Sequence, residues 1–163
     1  MNRLSLLGAF ALVALGPTAH AADGPDAVFD RYVAAVHAGD MAAVRALIAP
    51  DVERSDFVGC RPEMSHPDCL AHYIEATVVR PKARLSVLRR QTEGDTVSVT
   101  VEVRSPLYTQ AGVERIVGRD IVRAQGGLIR AFRFVPDFSD EATAVFFGTL
   151  GIGPRAAKPA QPS

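Results

Sequence analysis

The apolar residues of this chain follow two periods, and the change between them falls near Pro81. Before it they recur at steps of three and four. Val28, Phe29, Tyr32, Val33 and Val36 form one stripe, and Met41, Val44, Leu47 and Ile48 a second. Leu70, Tyr73, Ile74, Thr77 and Val78 form a third. Three amphipathic helices are expected, with Tyr32 on a buried face. After Pro81 the pattern alternates. Residues 85–91, 96–105, 113–124 and 128–135 predict four strands, separated by Glu93-Gly94-Asp95, Gln110-Ala111-Gly112 and Gln125-Gly126-Gly127. Short links between successive strands call for an antiparallel meander.

Local chemistry marks the corners. In Ala38-Gly39-Asp40 the glycine accepts the left-handed conformation that ends a helix, and the aspartate is a good N-cap for the next. Pro50 stops that second helix. Residues 51–58 alternate weakly, which predicts an extended segment with Val52, Arg54, Asp56 and Val58 on one side. Pro67 and Asp68 suit the first turn of the third helix, and Pro81 prevents its continuation. In the sheet, Val97, Val99, Val101 and Val103 alternate with polar residues. On the next strand Ile116, Gly118, Asp120 and Val122 share one face, with Arg115, Arg119 and Arg123 on the other. Ser139 is the expected cap of a short last helix reaching Phe147, before a loose tail at 148–163.

The first residues are set apart from the fold. A positive start with Arg3 leads into an uncharged run over 4–15, then Gly16-Pro17 and a small-x-small cleavage signal, Ala19-His20-Ala21. This pattern predicts a secretory signal over 1–21 and a periplasmic or secreted protein. The run falls short of the ~20 residues a spanning helix needs, so no membrane anchor is expected after cleavage. The remainder, 22–147 with its tail, is read as one domain, since a chain of 163 residues, 48% hydrophobic and 22% charged, has the composition of a single globular core. Acidic and basic residues are equal in number, 18 each, and Trp is absent, which argues against a nucleic-acid partner. Export gives Cys60 and Cys69 an oxidising compartment and favours a disulfide between them. The competing reading is a metal site built from Cys60, His66, Cys69 and His72, although the spacing matches no familiar zinc pattern.

Three helices followed by a curved sheet resemble the nuclear transport factor 2-like superfamily, which includes SnoaL-like polyketide cyclases and ketosteroid isomerases. The resemblance spans roughly residues 26 to 138 and is carried by the helical corner and the Gly126-Gly127-Leu128-Ile129-Arg130 turn into the last strand. It implies an α+β, cone-shaped fold, with three N-terminal helices packed on a curved antiparallel sheet around an apolar pocket. It also implies a small hydrophobic ligand and a homodimer through the outer sheet face.

Among these relatives the opening is most similar to ketosteroid isomerase, through Arg31-Tyr32-Val33-Ala34-Ala35, Ala38-Gly39-Asp40 and Asp56-x-Val58-Gly59. That similarity implies roles: Asp56 as general base, Tyr32 as oxyanion donor, and Asp120 as a carboxylic acid that stays protonated and donates a second hydrogen bond. Proton transfer beside a carbonyl needs such a base over the ligand and donors where charge develops. Arg54, two residues before Asp56, departs from the pattern, because a cation on the same face would hold the carboxylate ionised.

Structural roles stand beside these: Tyr32 at the edge of the core, Asp56 capping a turn, and Asp120 paired with a neighbouring arginine. Asp137 is the candidate acid–base residue of a SnoaL-like cyclase, or a turn residue after Pro136. The basic run Arg80, Lys82, Arg84, Arg89 and Arg90 is either a solvated face or an attractor of anionic ligands at the mouth of the cone. No phosphate loop, Ser-His-Asp set or metal-spaced His pair is present, so no cofactor or metal is expected.

Overall fold

A computed structural model describes residues 24–55 and 57–153; the expected signal at 1–21 and the end of the tail lie outside them. Two helices, α1 (Pro25–Ala38) and α2 (Met41–Leu47), meet at Gly39. Its φ of 70° lets the Gly39 and Asp40 N–H groups close on the last carbonyls of α1, while the Asp40 carboxylate accepts from the Ala43 N–H at 2.9 Å. The corner therefore satisfies both helix ends within three residues. α3 (His66–Ile74) begins at a Ser65 cap and continues through one π-helical turn, Glu75–Val79, before Pro81.

The sheet is the expected meander of β1 (Arg84–Glu93), β2 (Thr96–Arg104), β3 (Arg115–Gln125) and β4 (Leu128–Pro136), paired in that order. Gly126 and Gly127, both at positive φ, form the two-residue turn between β3 and β4. The helices cover one face of the sheet. Val97, Val99, Val101, Val122 and Ile129 are fully buried there against Val28, Phe29 and Tyr32. One further helix was not foreseen, α4 (Pro106–Thr109), between β2 and β3; the expected short last helix is α5 (Glu141–Thr149).

Some expectations need correction. The described residues of the expected 51–58 strand, 51–55 and 57–58, do not form one. The chain touches β4 through an Ile48–Ile129 bridge and an N–H bond from Glu53 to the Arg130 carbonyl, but the turn at Pro50 and Asp51 breaks the ladder between them. Ser139 is not the cap of α5. Its N–H and hydroxyl both donate to the Asp137 carboxylate, so the helix starts later, on Asp140, which accepts from the Thr143 N–H.

The basic run is also redistributed. Pairing of β1 with β2 shifts between Val87 and Arg89, and the extra residue, Leu88, inverts the facing of everything beyond it. Arg90, not Arg89, therefore points at α1. Its guanidinium meets Asp30 at 2.5 Å and Asp26 at 3.3 Å, and lies 5.5 Å from the Phe29 ring centroid. Arg90 fastens a helix to an edge strand instead of guarding the cone mouth. Arg90→Ala is expected to cost about 1 to 2 kcal/mol in urea unfolding, since two carboxylates and a ring lose one shared cation. Arg89→Ala, on the opposite face, should leave the midpoint in place.

Candidate functional site

The inner face of β3 carries Asp120 between Val99 of β2 and Phe134 of β4. The residue is only 3% exposed, and its carboxyl has no hydrogen-bond partner among the described residues. Burial pushes its pKa up to about 7, because an apolar surround disfavours the charged form. At neutral pH a large share of the molecules thus carry a carboxylic acid able to donate. The reading of Asp120 as half of an ion pair is overturned by the strand's alternation. The arginines beside it project outward, where Arg123 pairs with Glu53, and Arg115 with Glu102 and Asp140.

Three tyrosines from three helices join Asp120 on the wall of a cavity of about 350 Å³. Tyr32 projects from α1, its ring 5.8 Å from Phe29 and 5.5 Å from Phe132. Tyr73 of α3 stacks on Phe57 at 4.2 Å, and Tyr108 of α4 meets Phe146 edge-on at 4.7 Å. Burial, and after it the negative charge of Asp120, raises the pKa of all three, Tyr108 to about 12 and the others further. They remain neutral donors throughout the ordinary pH range. The Tyr32 and Tyr108 hydroxyls have no hydrogen-bond partner among the described residues, whereas the Thr77 hydroxyl lies against that of Tyr73 and also donates to the Tyr73 carbonyl at 2.8 Å.

The remaining wall is largely apolar, with Phe132, Phe134, Phe146 and Phe147 at its centre. Gly118 makes part of this possible. A Cβ at that position would lie 2.2 Å from the Phe134 ring and 2.9 Å from the Val135 carbonyl oxygen, so only glycine lets the ring lie down beside Asp120. Leu150 and Ile152 also line the cavity, so the segment expected to be a loose tail supplies part of the wall.

Asp56 lies outside the described residues. Beside it in sequence, the Ser55 hydroxyl donates to the Phe132 carbonyl at 3.0 Å, and Phe57 is the partner of Tyr73. Arg54 is engaged with the loop that follows. Its guanidinium donates to the Met64 and Arg61 carbonyls at 3.1 and 3.2 Å, which fastens the following loop. That loop is closed by a disulfide, Cys60–Cys69, with Cα atoms 5.2 Å apart. The bridge excludes the four-ligand metal reading, since both thiolates are consumed, and His66 is engaged with the Val52 carbonyl at 3.1 Å. Asp137 is a turn residue away from the cavity, its carboxylate occupied by Ser139.

Sequence reasoning found Tyr32 and Asp120 but missed Tyr73 and Tyr108 as members of the same set. Tyr73 was visible as a member of an apolar stripe. Tyr108 follows Ser105-Pro106, a helix-start signal at the end of the expected strand 96–105; the Ser105 hydroxyl accepts from the Leu107 N–H.

With this geometry in place, comparison with known proteins is informative about the fold. The family model described as "SnoaL-like domain" matches residues 29–132. No curated protein matches the chain by sequence. Among solved structures, the Δ5-3-ketosteroid isomerase from Mycobacterium sp. is 18% identical with a TM-score of 0.54, covering 72% of this chain and 96% of its own. A Mycobacterium tuberculosis protein, solved in complex with estradiol-17β-hemisuccinate, is 15% identical at a TM-score of 0.54, over 72% and 97%. A computationally designed 17-OHP binder is 15% identical at 0.55, over 71% and 93%. Their common ground with this chain is the nuclear transport factor 2-like fold.

Proposed function

Because this chain belongs to the SnoaL-like domain family, we propose that it binds a small hydrophobic molecule in its cavity and carries out ketosteroid-isomerase-like proton transfer on it. The observation that carries the reading is the buried Asp120 carboxyl, held without a protein partner beside three tyrosine hydroxyls on an apolar wall. A buried polar group left unpaired is costly, and a ligand oxygen placed among these donors relieves that cost.

In this reading the ligand's carbonyl or hydroxyl oxygen accepts from Tyr32 and from protonated Asp120, while the apolar rings hold its hydrocarbon body. Asp56 is the base. It takes a proton from the carbon beside the carbonyl, the resulting dienolate oxygen is stabilised by the two donors, and the proton returns at a conjugated position. The steroid-bound and steroid-binding neighbours support the size and polarity of such a ligand. Export through residues 1–21 belongs to the same proposal and is supported by the disulfide. Among the described residues no helix is long and apolar enough to cross a membrane.

The test is absorbance at the conjugated enone after mixing the mature protein with a β,γ-unsaturated ketosteroid. Turnover that disappears in Asp56→Asn is expected, together with weakened steroid binding in Tyr32→Phe. Steroid binding without turnover would leave a carrier and remove the base from Asp56. Absence of both would remove the reading altogether.

A further inference from the structure

The opposite, outward face of the sheet has a second concavity, of about 360 Å³ and polar in character, which the chemistry of the inner cavity does not use. Its floor follows from strand register. Arg89 of β1 pairs with Thr100 of β2, and Thr100 with Arg119 of β3, so the two arginines flank one threonine on one face. At the usual spacing between strands their Cα atoms are about 10 Å apart, within converging reach of two long side chains. Gln91 and Ser98 lie one outward position along, also across from each other.

What distinguishes these arginines is their lack of partners. Elsewhere on the sheet Arg90, Arg104, Arg115, Arg123 and Arg130 each pair with a carboxylate. Arg84, at the start of β1, lies beside His37 and adds its charge there. Arg89 and Arg119 have no carboxylate, carbonyl or hydroxyl partner among the described residues, and neither has Arg133, which lies on the same face two residues from Val135 at the groove. The groove's own carboxylate, Asp137, is held by the Ser139 N–H and hydroxyl. The chain is neutral as a whole, so this is a local excess of positive charge, arranged around two hydroxyls and a recess.

We infer that this groove binds a phosphoryl group, carried by a small organic phosphate or diphosphate ester or by a phospholipid headgroup. Two guanidinium forks flanking a hydroxyl match the several acceptor oxygens of a phosphate, and forked arginine contacts suit that geometry better than a point charge does. The recess accommodates a diphosphate with part of its substituent. Arg89 and Arg119 are the primary contacts, Thr100 donates from the floor, and Arg133 adds to the field. This site is independent of proton transfer in the inner cavity, and it requires the outer sheet face to be open to solvent, so it replaces the homodimer through that face as the reading of this surface.

Calorimetric titration with inorganic pyrophosphate at constant ionic strength tests the inference. Saturable binding is expected, weakened roughly tenfold or more by Arg89→Gln and by Arg119→Gln, each of which removes charged hydrogen bonds. Arg104→Gln, which alters a paired arginine of the same sheet, should retain the native affinity. Thermal unfolding of the two groove variants should match the native protein, because neither side chain has a partner to lose. Co-sedimentation with phosphatidylglycerol vesicles then separates the sources: vesicle binding lost in the same two variants assigns the phosphoryl group to a headgroup, and its absence beside pyrophosphate binding assigns it to a soluble ester. No saturable pyrophosphate binding, or equal loss in Arg104→Gln and the groove variants, would overturn the site.

Discussion

Asp120→Asn is expected to abolish most of the loss of stability that the native protein shows as pH rises from about 4 to about 8. An unfolded aspartate titrates near 3.9, whereas burial holds the folded Asp120 near pH 7. Between those values the folded state binds more protons than the unfolded one, so stability falls as pH rises. The contribution is fully present below pH ~4 and gone once pH exceeds the folded value. At ~1.4 kcal/mol per unit, the displacement corresponds to about 4 kcal/mol when the carboxylate is fully ionised. An amide of the same shape cannot ionise and carries none of this dependence. Tyr32, Tyr73 and Tyr108 face the carboxyl from three helices and stay neutral across the range, so they do not cancel it.

His37 works in the opposite sense. Its Nε2 accepts from the Leu85 N–H at 3.1 Å, and burial, then the Arg84 charge, lowers its pKa. That contribution is present above the unfolded histidine value and lost as pH falls through the folded one. It is common to both proteins and drops out of their difference. Urea unfolding of native and Asp120→Asn protein at pH 5 and pH 9 is the measurement, and parallel profiles would show that Asp120 does not titrate inside the cavity. Steroid affinity should follow the same curve, falling above pH 7 as Asp120 ceases to be a donor.

Reduction of Cys60–Cys69 is expected to lower stability by about 2.5 kcal/mol, the chain-entropy value for so short a loop. For a domain of this size that is a fall of roughly 8 °C in Tm. The functional consequence should be larger than the thermal one suggests. The bridge holds the loop after Phe57 to α3, whose Tyr73 stacks on Phe57, so both sides of the cavity wall depend on it. Scanning calorimetry and steroid titration, each with and without reductant, should show both losses, and a Cys60→Ser, Cys69→Ser double variant should show them without responding to reductant. A reduced protein that keeps its steroid affinity would separate the loop from the cavity.

Legibility in the sequence followed the range of the forces involved. The α1–α2 corner was readable because Gly39 and Asp40 satisfy helix ends within a few residues. The four strands were readable because valine alternation is a local pattern. The facing of Asp120 was readable for the same reason, since Ile116, Gly118 and Val122 set the inner side of β3. Asp140 displaced Ser139 as a cap through competition with Asp137, which no single-position preference reveals. Leu88 inverted the facing of Arg89 and Arg90 because a bulge is decided by pairing between strands.

The sequence by itself determined the order of the main helices and the four strands, the inward faces of α1, β2 and β3, the preference for a disulfide and the presence of one acid among apolar strand neighbours. Only the tertiary structure decided that this acid shares a cavity with tyrosines from three helices. It also decided that Gly118 yields its space to Phe134, and that Arg89 and Arg119 meet across Thr100 without an ion-pair partner among the described residues. The division has a physical cause: backbone preference and side-chain periodicity act over a few residues, whereas desolvation and unpaired charge depend on which distant surfaces the folded chain brings together.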